Sequence, residues 1–259
     1  MKTKFYGSHF RAGTWVFLCL SWASAAVQAQ TSDSAVFIRP QPAEIVHWAA
    51  YKPGRQLPRA TLKLDAGYGW RTAPTSDQLT DDMKAYVEHL KSAFVWNASF
   101  DFFFNDRFGI RMTFYQYLAS HSDQAYKINT GKSGTLATKD RITHIGPAFV
   151  FRLSFGRQKS WIFDANVGMG YIGYRENTTF ADEYFKYSGA SLGMQTGAGL
   201  EYRIAPQWSI GINMQLTSGE ITELQYNDNG VKTTQTYDAG EGEGLGQISL
   251  GIGIRYHIK

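Results

Sequence analysis

The stretch Gln247-Ile-Ser-Leu-Gly-Ile-Gly-Ile-Arg-Tyr-His-Ile-Lys259 decides the fold. Ile248, Leu250, Ile252, Ile254, Tyr256 and Ile258 alternate with Ser249, Gly251, Gly253, Arg255 and His257. A period of two is that of a β-strand with one apolar face and one small, polar face. A soluble sandwich would turn the apolar face onto a second sheet, whereas a membrane barrel would turn it out into lipid. The rest of the chain decides between them.

The same alternation recurs upstream in segments near 60–72, 92–105, 108–119, 141–155, 161–174, 187–204 and 208–217. With the last stretch these make an antiparallel, all-β array of eight strands. The connections alternate. Asn105-Asp-Arg107, Gly156-Arg-Gln-Lys159 and Ala205-Pro-Gln207 are tight turns, and the segments between the other strands are long and polar. Short turns on one side and long loops on the other are what an up-and-down transmembrane barrel requires. The tryptophans of the apolar register add to this. Trp70 and Trp96 fall toward the loop ends of their strands, and Trp161 and Trp208 begin strands directly after short turns. That segregation predicts two aromatic belts, one at each headgroup layer.

The N-terminus reads as an export signal over residues 1–29. Lys2, Lys4 and Arg11 precede the apolar run Trp15–Leu20, and small residues lead to Ala29. The run is too short to cross a bilayer as a helix, which takes about 20 apolar residues. The only cysteine, Cys19, leaves with the signal, so no disulfide is expected after it. So do three of the 26 basic residues, against 22 acidic ones in all, and the formal charge of +4 falls near neutrality. No nucleic-acid partner is expected of such a balance. Residues 30–58, with Pro40, Pro42, Pro53 and Pro58, form a lead-in that is either periplasmic or tucked into the barrel, and 59–259 form the barrel.

On these features the chain resembles the small bacterial outer-membrane β-barrel proteins, a family that includes the OmpA transmembrane domain, OmpX and OmpW. Its last strand is similar to their C-terminal assembly signal, with Ser249, Gly251, Ile254 and Tyr256 in the matching places and Lys259 where a terminal aromatic is usual. The resemblance implies a Gram-negative outer-membrane location, lipid as the surroundings and the outer-membrane assembly machinery as a partner. It identifies architecture better than activity.

The face opposite the apolar one holds Lys63, Asp65, Asp101, Arg111, Arg152, Asp164, Glu201, Arg203 and Arg255, each near the short-turn or terminal end of its strand. An eight-stranded bore is just wide enough to be filled by side chains. Charges there must pair, and the close balance of signs favours a salt-bridge plug over an ion path. Further up, the inward residues are small, among them Gly67, Gly69, Gly168, Gly170, Gly197 and Gly199, with Tyr115 and Tyr117 pointing the same way. Both a tightly curved, filled lumen and a pocket open to the outside fit that pattern. In the loop 77–91, Leu79, Met83, Tyr86, Val87 and Leu90 recur at helical spacing behind Thr80, predicting a short amphipathic helix over the mouth or on the outer leaflet. Ile221–Tyr226 and Val231–Tyr237 read as a hairpin extending past the membrane around Asn229-Gly230.

Chemistry-like motifs are weak. Thr130-Gly-Lys-Ser133 lacks the earlier glycine of a phosphate loop, and Gly240–Gly246 carries two glutamates that would repel an anion. His47, His89, His121, His144 and His257 lack ligand spacing, so no metal or cofactor is expected. Three functions follow, in this order: a plugged barrel with a structural or surface-interaction role, meeting any extracellular partner through its loops; an OmpW-like passage or site for small apolar molecules; and an outer-leaflet lipid-modifying enzyme. The third needs a nucleophile and base together, for which His121, Ser122 and His144 are the nearest candidates.

Overall fold

The structure, a computed structural model, describes residues 57–75, 79–127, 133–180, 183–228, 231–238 and 242–258. The export signal, the lead-in up to residue 56 and the Asn229-Gly230 turn lie outside these. The strands are β1 (Ala60–Arg71), β2 (Ser92–Phe103), β3 (Phe108–Lys127), β4 (Ser133–Phe155), β5 (Trp161–Phe180), β6 (Glu183–Arg203), β7 (Trp208–Ile221), β8 (Glu223–Asp228), β9 (Val231–Thr236), β10 (Glu243–Gly244) and β11 (Gln247–Ile258). An α-helix, α1 (Asp81–Leu90), comes between β1 and β2 in the chain.

Eight strands, β1 to β7 and β11, form an antiparallel ring. It closes twice over: β11 pairs with β1, from Ala60 opposite Ile258 to Arg71 opposite Gln247, and with β7. The fold class read from the alternation is therefore the one observed. The 12 residues of β1 rise about 30 Å at roughly 3.3 Å each and a tilt of about 40°, the thickness of a bilayer's hydrocarbon layer. Leu62, Leu64, Phe149, Val167, Leu192, Ile212 and Ile252 all face outward and are exposed, while the alternate residues are buried.

The turns at the lower end are held locally. The Asn105 side-chain oxygen accepts from the backbone N–H of Arg107 and Phe108, both at 2.8 Å. Gly156, at φ 79°, opens the β4–β5 turn in the left-handed region that suits glycine. Aromatic groups pack side by side at this end, with Phe108 on Phe151 at 5.3 Å, Trp161 on Tyr202 at 4.8 Å and Trp208 on Tyr256 at 5.0 Å. At the other end Tyr68 meets Trp70 edge-on at 5.5 Å. Trp96 differs from the expected placement at a loop end. It lies inside β2, half-buried against Phe114, and its indole N–H donates to Gln116 at 3.1 Å.

Four strands are longer than their apolar alternation suggests. β3, β4, β5 and β6 run for 20, 23, 20 and 21 residues, so much of the segment expected as a loop at 120–140 is strand. Past the membrane the pattern inverts. Leu136, Ile142, Tyr174 and Phe180 turn inward and are buried, whereas Lys139, Arg141, Arg175 and Lys186 turn outward. Water now lies outside, so the ordinary rule of a soluble sheet applies. β8 and β9 extend this outer sheet beside β6.

An arginine at Val167, 54% exposed near mid-wall, should lower stability by roughly 2–4 kcal/mol, read as the urea midpoint in lipid vesicles. Thr179→Arg, outward on the same strand beyond the membrane, should leave that midpoint unchanged.

Candidate functional site

Inside the ring the bore is filled in three layers. The lowest is ionic. The ammonium of Lys63 lies 3.3 Å from Asp101, 2.8 Å from Asp164 and in contact with Glu201. Arg111 binds Asp101 through Nε at 2.6 Å and Asp164 through Nη2 at 2.7 Å. Arg255 bridges Asp65 at 2.7 Å and Glu201 at 3.5 Å. All of these side chains are buried. Alternation puts them there: all are inward positions near the same height, Lys63 and Asp65 on β1 and the others on one wall strand apiece.

Arg152 and Arg203 also reach backbone carbonyls. Arg152 donates to the carbonyls of Pro58, at 2.7 Å, and Asp106, at 2.9 Å, with its guanidinium 3.6 Å above the Phe103 ring. Arg203 donates to the Pro206 carbonyl at 3.2 Å. Both tie the lower rim together. Each lies within a few residues of a short turn, which puts turn carbonyls within its reach. His257 bridges Thr61 and Ser209, at 3.1 and 2.6 Å.

The middle layer is a chain of amides. Asn97 donates to Gln215 at 2.9 Å, Gln215 to Gln195 at 3.2 Å, and Gln195 to Thr113 at 3.4 Å. It crosses from β2 through β7 and β6 to β3. Tyr115 donates to Gln247 at 3.2 Å just beside it. Of the voids that border these layers, one lined by Asp65, Asn97, Tyr115 and Gln215 and one by Lys63, Asp101, Arg152 and Glu201, each has room for about one water.

The upper layer is apolar and carries the helix. Tyr86 and Leu90 of α1 are buried with Val95, Tyr117, Ile142, Ile172, Tyr174, Ile221 and Leu245. The Tyr117 hydroxyl donates to the Leu90 carbonyl at 2.8 Å, and Tyr86 to that of His121 at 3.2 Å. The helical spacing expected in this loop is realised over the mouth and not on the outer leaflet. Thr80 precedes it without a side-chain cap.

Arg71 joins the elements around that mouth. Its side chain reaches Glu243 at 2.6 Å, the Gly244 carbonyl at 3.1 Å and Asp140 at 3.7 Å, and lies over the Tyr174 ring at 5.9 Å. Its backbone N–H donates to the Lys91 carbonyl at 2.7 Å. Asp140 is 5% exposed and sits beyond the last apolar outward pair, Ile145 and Tyr171, so outside the membrane. Burial, then the nearby Glu176 carboxylate, push it up to about 7 against the pull of Arg71. A raised acid favours the folded state most at low pH, and the benefit is lost as pH rises through about 7. The outer mouth should therefore protect the α1 amides from hydrogen exchange better at pH 6 than at pH 8. Asp140→Asn should flatten that difference.

Neither Arg71 nor the Asp140 layer was among the residues singled out from the sequence. The signal was present, since Leu136, Thr138, Asp140 and Ile142 alternate with Lys139 and Arg141, but with the apolar residues inward. His121 faces α1, its ring 4.5 Å from that of His89, and Ser122 faces away. His144 is fully buried opposite Tyr115, six positions along the sheet from His121. The structure does not bring these three together. Ser249 is inward, Ile254 outward, Gly251 lies opposite Gly67, and Tyr256 packs in the lower belt. Among the described residues no group of three or more His, Cys, Asp or Glu is arranged to hold a metal.

Comparison with known structures gives distant matches. A major outer membrane protein from Thermus thermophilus is 12% identical with a TM-score of 0.51, covering 77% of this chain and 99% of that one. Neisserial surface protein A is 15% identical at 0.44, over 77% and 97%. The outer membrane protease OmpT from Escherichia coli is 8% identical at 0.44, over 77% and 96%. The first bears on fold alone. No curated protein matches the sequence. The outer membrane protein beta-barrel domain family, in contrast, matches residues 15–242. With its eight-stranded ring and outward apolar wall, the chain belongs to this family of bacterial outer-membrane β-barrels.

Proposed function

We propose that the protein is a closed barrel with a structural or surface-interaction role, which anchors an extracellular sheet and holds no conducting path. The observation that carries this reading is the succession of ionic, amide and apolar layers across the bore, with α1 over the last. Ions shed hydration water only where the protein replaces it, and two layers of side chains bonded to one another beneath a packed apolar layer offer no such file. The part left to meet the environment is the outer extension of β3 to β6 with the β8–β9 hairpin, whose outward face is polar.

A passage for small apolar molecules would need the upper lumen that Tyr117, Ile142 and Ile172 occupy. A lipid-modifying role would need a base beside a nucleophile, and His121 and Ser122 face opposite ways. The wild-type protein in a planar bilayer is thus expected to be silent at both polarities. Steady, ion-selective conductance that disappears when Asp101 or Asp164 is neutralised would show a filter in place of a plug.

A further inference from the structure

The outward face just beyond the lipid belt carries an unbalanced charge. Lys139 and Arg141 on β4, Arg175 on β5 and Lys186 on β6 are all exposed, and no acidic side chain is paired with any of them among the described residues. Arg141 stands directly opposite Arg175, and Asn177 lies between Lys139 and Lys186 across the same strands. Like charges facing each other across a ladder are destabilising in water alone. The acids at this height, Asp140 and Glu176, alternate with these residues and point the other way, into the mouth. The sheet therefore sorts its charges by side, with cations out.

The height of the patch says what it meets. The last exposed apolar pair below it is Ile145 and Tyr171, and Arg141 and Arg175 lie four residues further up their strands. That is about 13 Å along the strand and about 10 Å above the pair after tilt. A headgroup layer is roughly 5–8 Å thick, so the backbone at Arg141 and Arg175 stands just above it, and long side chains that bend back toward the bilayer bring their guanidinium groups to its outer part. Below them Ile145, Phe149, Met169 and Tyr171 form an exposed apolar strip along which acyl chains can lie.

We propose that Arg141 and Arg175, flanked by Lys139 and Lys186, form a binding site for the phosphate group of a lipid in the outer leaflet. Planar guanidinium groups suit a phosphate's oxygens, and one phosphate between the two arginines removes their mutual repulsion. The occupant is a lipid and not a soluble anion, because the charged patch continues directly into the apolar strip. The site is independent of whether the lumen conducts, and rests only on the membrane placement of the wall.

The test uses the full-length protein in detergent micelles with equal amounts of phosphatidic acid and phosphatidylcholine, reading the retained lipid by native mass spectrometry. Phosphatidic acid should be retained preferentially. Arg141→Gln with Arg175→Gln should cut that preference by roughly tenfold or more, at about fivefold for each cation removed near a headgroup. Both positions are exposed and outside the bore, and an unchanged mobility shift on unboiled gels checks folding. Arg107→Gln, which removes a cation at the opposite end, should leave the preference as it was. Excess inorganic phosphate should fail to displace the lipid. The proposal is overturned if the double variant keeps the preference, if Arg107→Gln removes as much of it, or if inorganic phosphate competes effectively.

Discussion

Replacing Lys63 with alanine should cost about 3–5 kcal/mol, the range for removing one partner of a buried ion pair. Lys63 is the one ammonium shared by Asp101, Asp164 and Glu201. Without it Asp101 and Asp164 retain only Arg111, and Glu201 and Asp65 only Arg255. Four carboxylates then face two guanidinium groups in a bore too narrow to hydrate them. Either the barrel loses stability, seen as a lower urea midpoint, or water enters and the bilayer trace acquires conductance. Lys63→Ala combined with Asp164→Asn should recover part of the loss, because the two side chains are 2.8 Å apart and their changes should not add. An unchanged midpoint together with a silent bilayer would remove the ionic layer from the account. Arg152→Ala is the useful contrast. Its partners are carbonyls at the rim, so it should loosen the chain at Pro58 without opening the bore.

The membrane part of this fold was legible because lipid imposes one rule on every strand at once. An outward residue must be apolar, so Leu62, Phe100, Val167 and Ile252 recur at period two and mark the ring. The same rule exposed the ionic layer, since Lys63 or Asp164 in an apolar alternation has nowhere to point but inward. It gave no help above the membrane. There Leu136 and Phe180 are the buried residues and Arg141 the exposed one, so a pattern keyed to outward apolar residues reads those strand ends as loop. The amide layer was invisible for a different reason. Asn97, Gln195 and Gln215 look like any polar inward residue until the register sets them across the bore from one another. Arg71 is harder still: its partners Asp140, Tyr174 and Glu243 come from three distant segments, and only the closed ring brings them together. Trp96 falls toward the loop end of its strand in the sequence, yet the register sets it opposite Ala66, midway along β1, where Gln116 gives its N–H a partner within the wall.

The second large effect belongs to the seam that closes the barrel. Gly253→Val should prevent β11 from pairing with β1, at a cost of about 3 kcal/mol or more. A Cβ at Gly253 would overlap the Leu64 carbonyl oxygen and lie 2.7 Å from the Asp65 Cα, both backbone atoms of the paired strand that cannot swing aside. The strands would have to part, which also draws Asp65 away from Arg255, now 2.7 Å from it. Gly251, one inward position earlier, is different. A Cβ there meets the Ala66 carbonyl oxygen at 3.2 Å and nothing closer, so Gly251→Ala needs a shift of only a few tenths of an ångström. Packing alone therefore ranks the two: Gly253→Val should fail to refold into vesicles in vitro, and Gly251→Ala should refold nearly as well as wild type. Gly251 also fills the glycine place in the strand's resemblance to an assembly signal. If Gly251→Ala refolds in vitro yet does not reach the outer membrane in cells, the residue serves recognition by the assembly machinery. If it reaches the membrane normally, the glycine is there for the seam alone. Normal refolding of Gly253→Val would instead mean that the close approach of β1 and β11 is not what closes the ring.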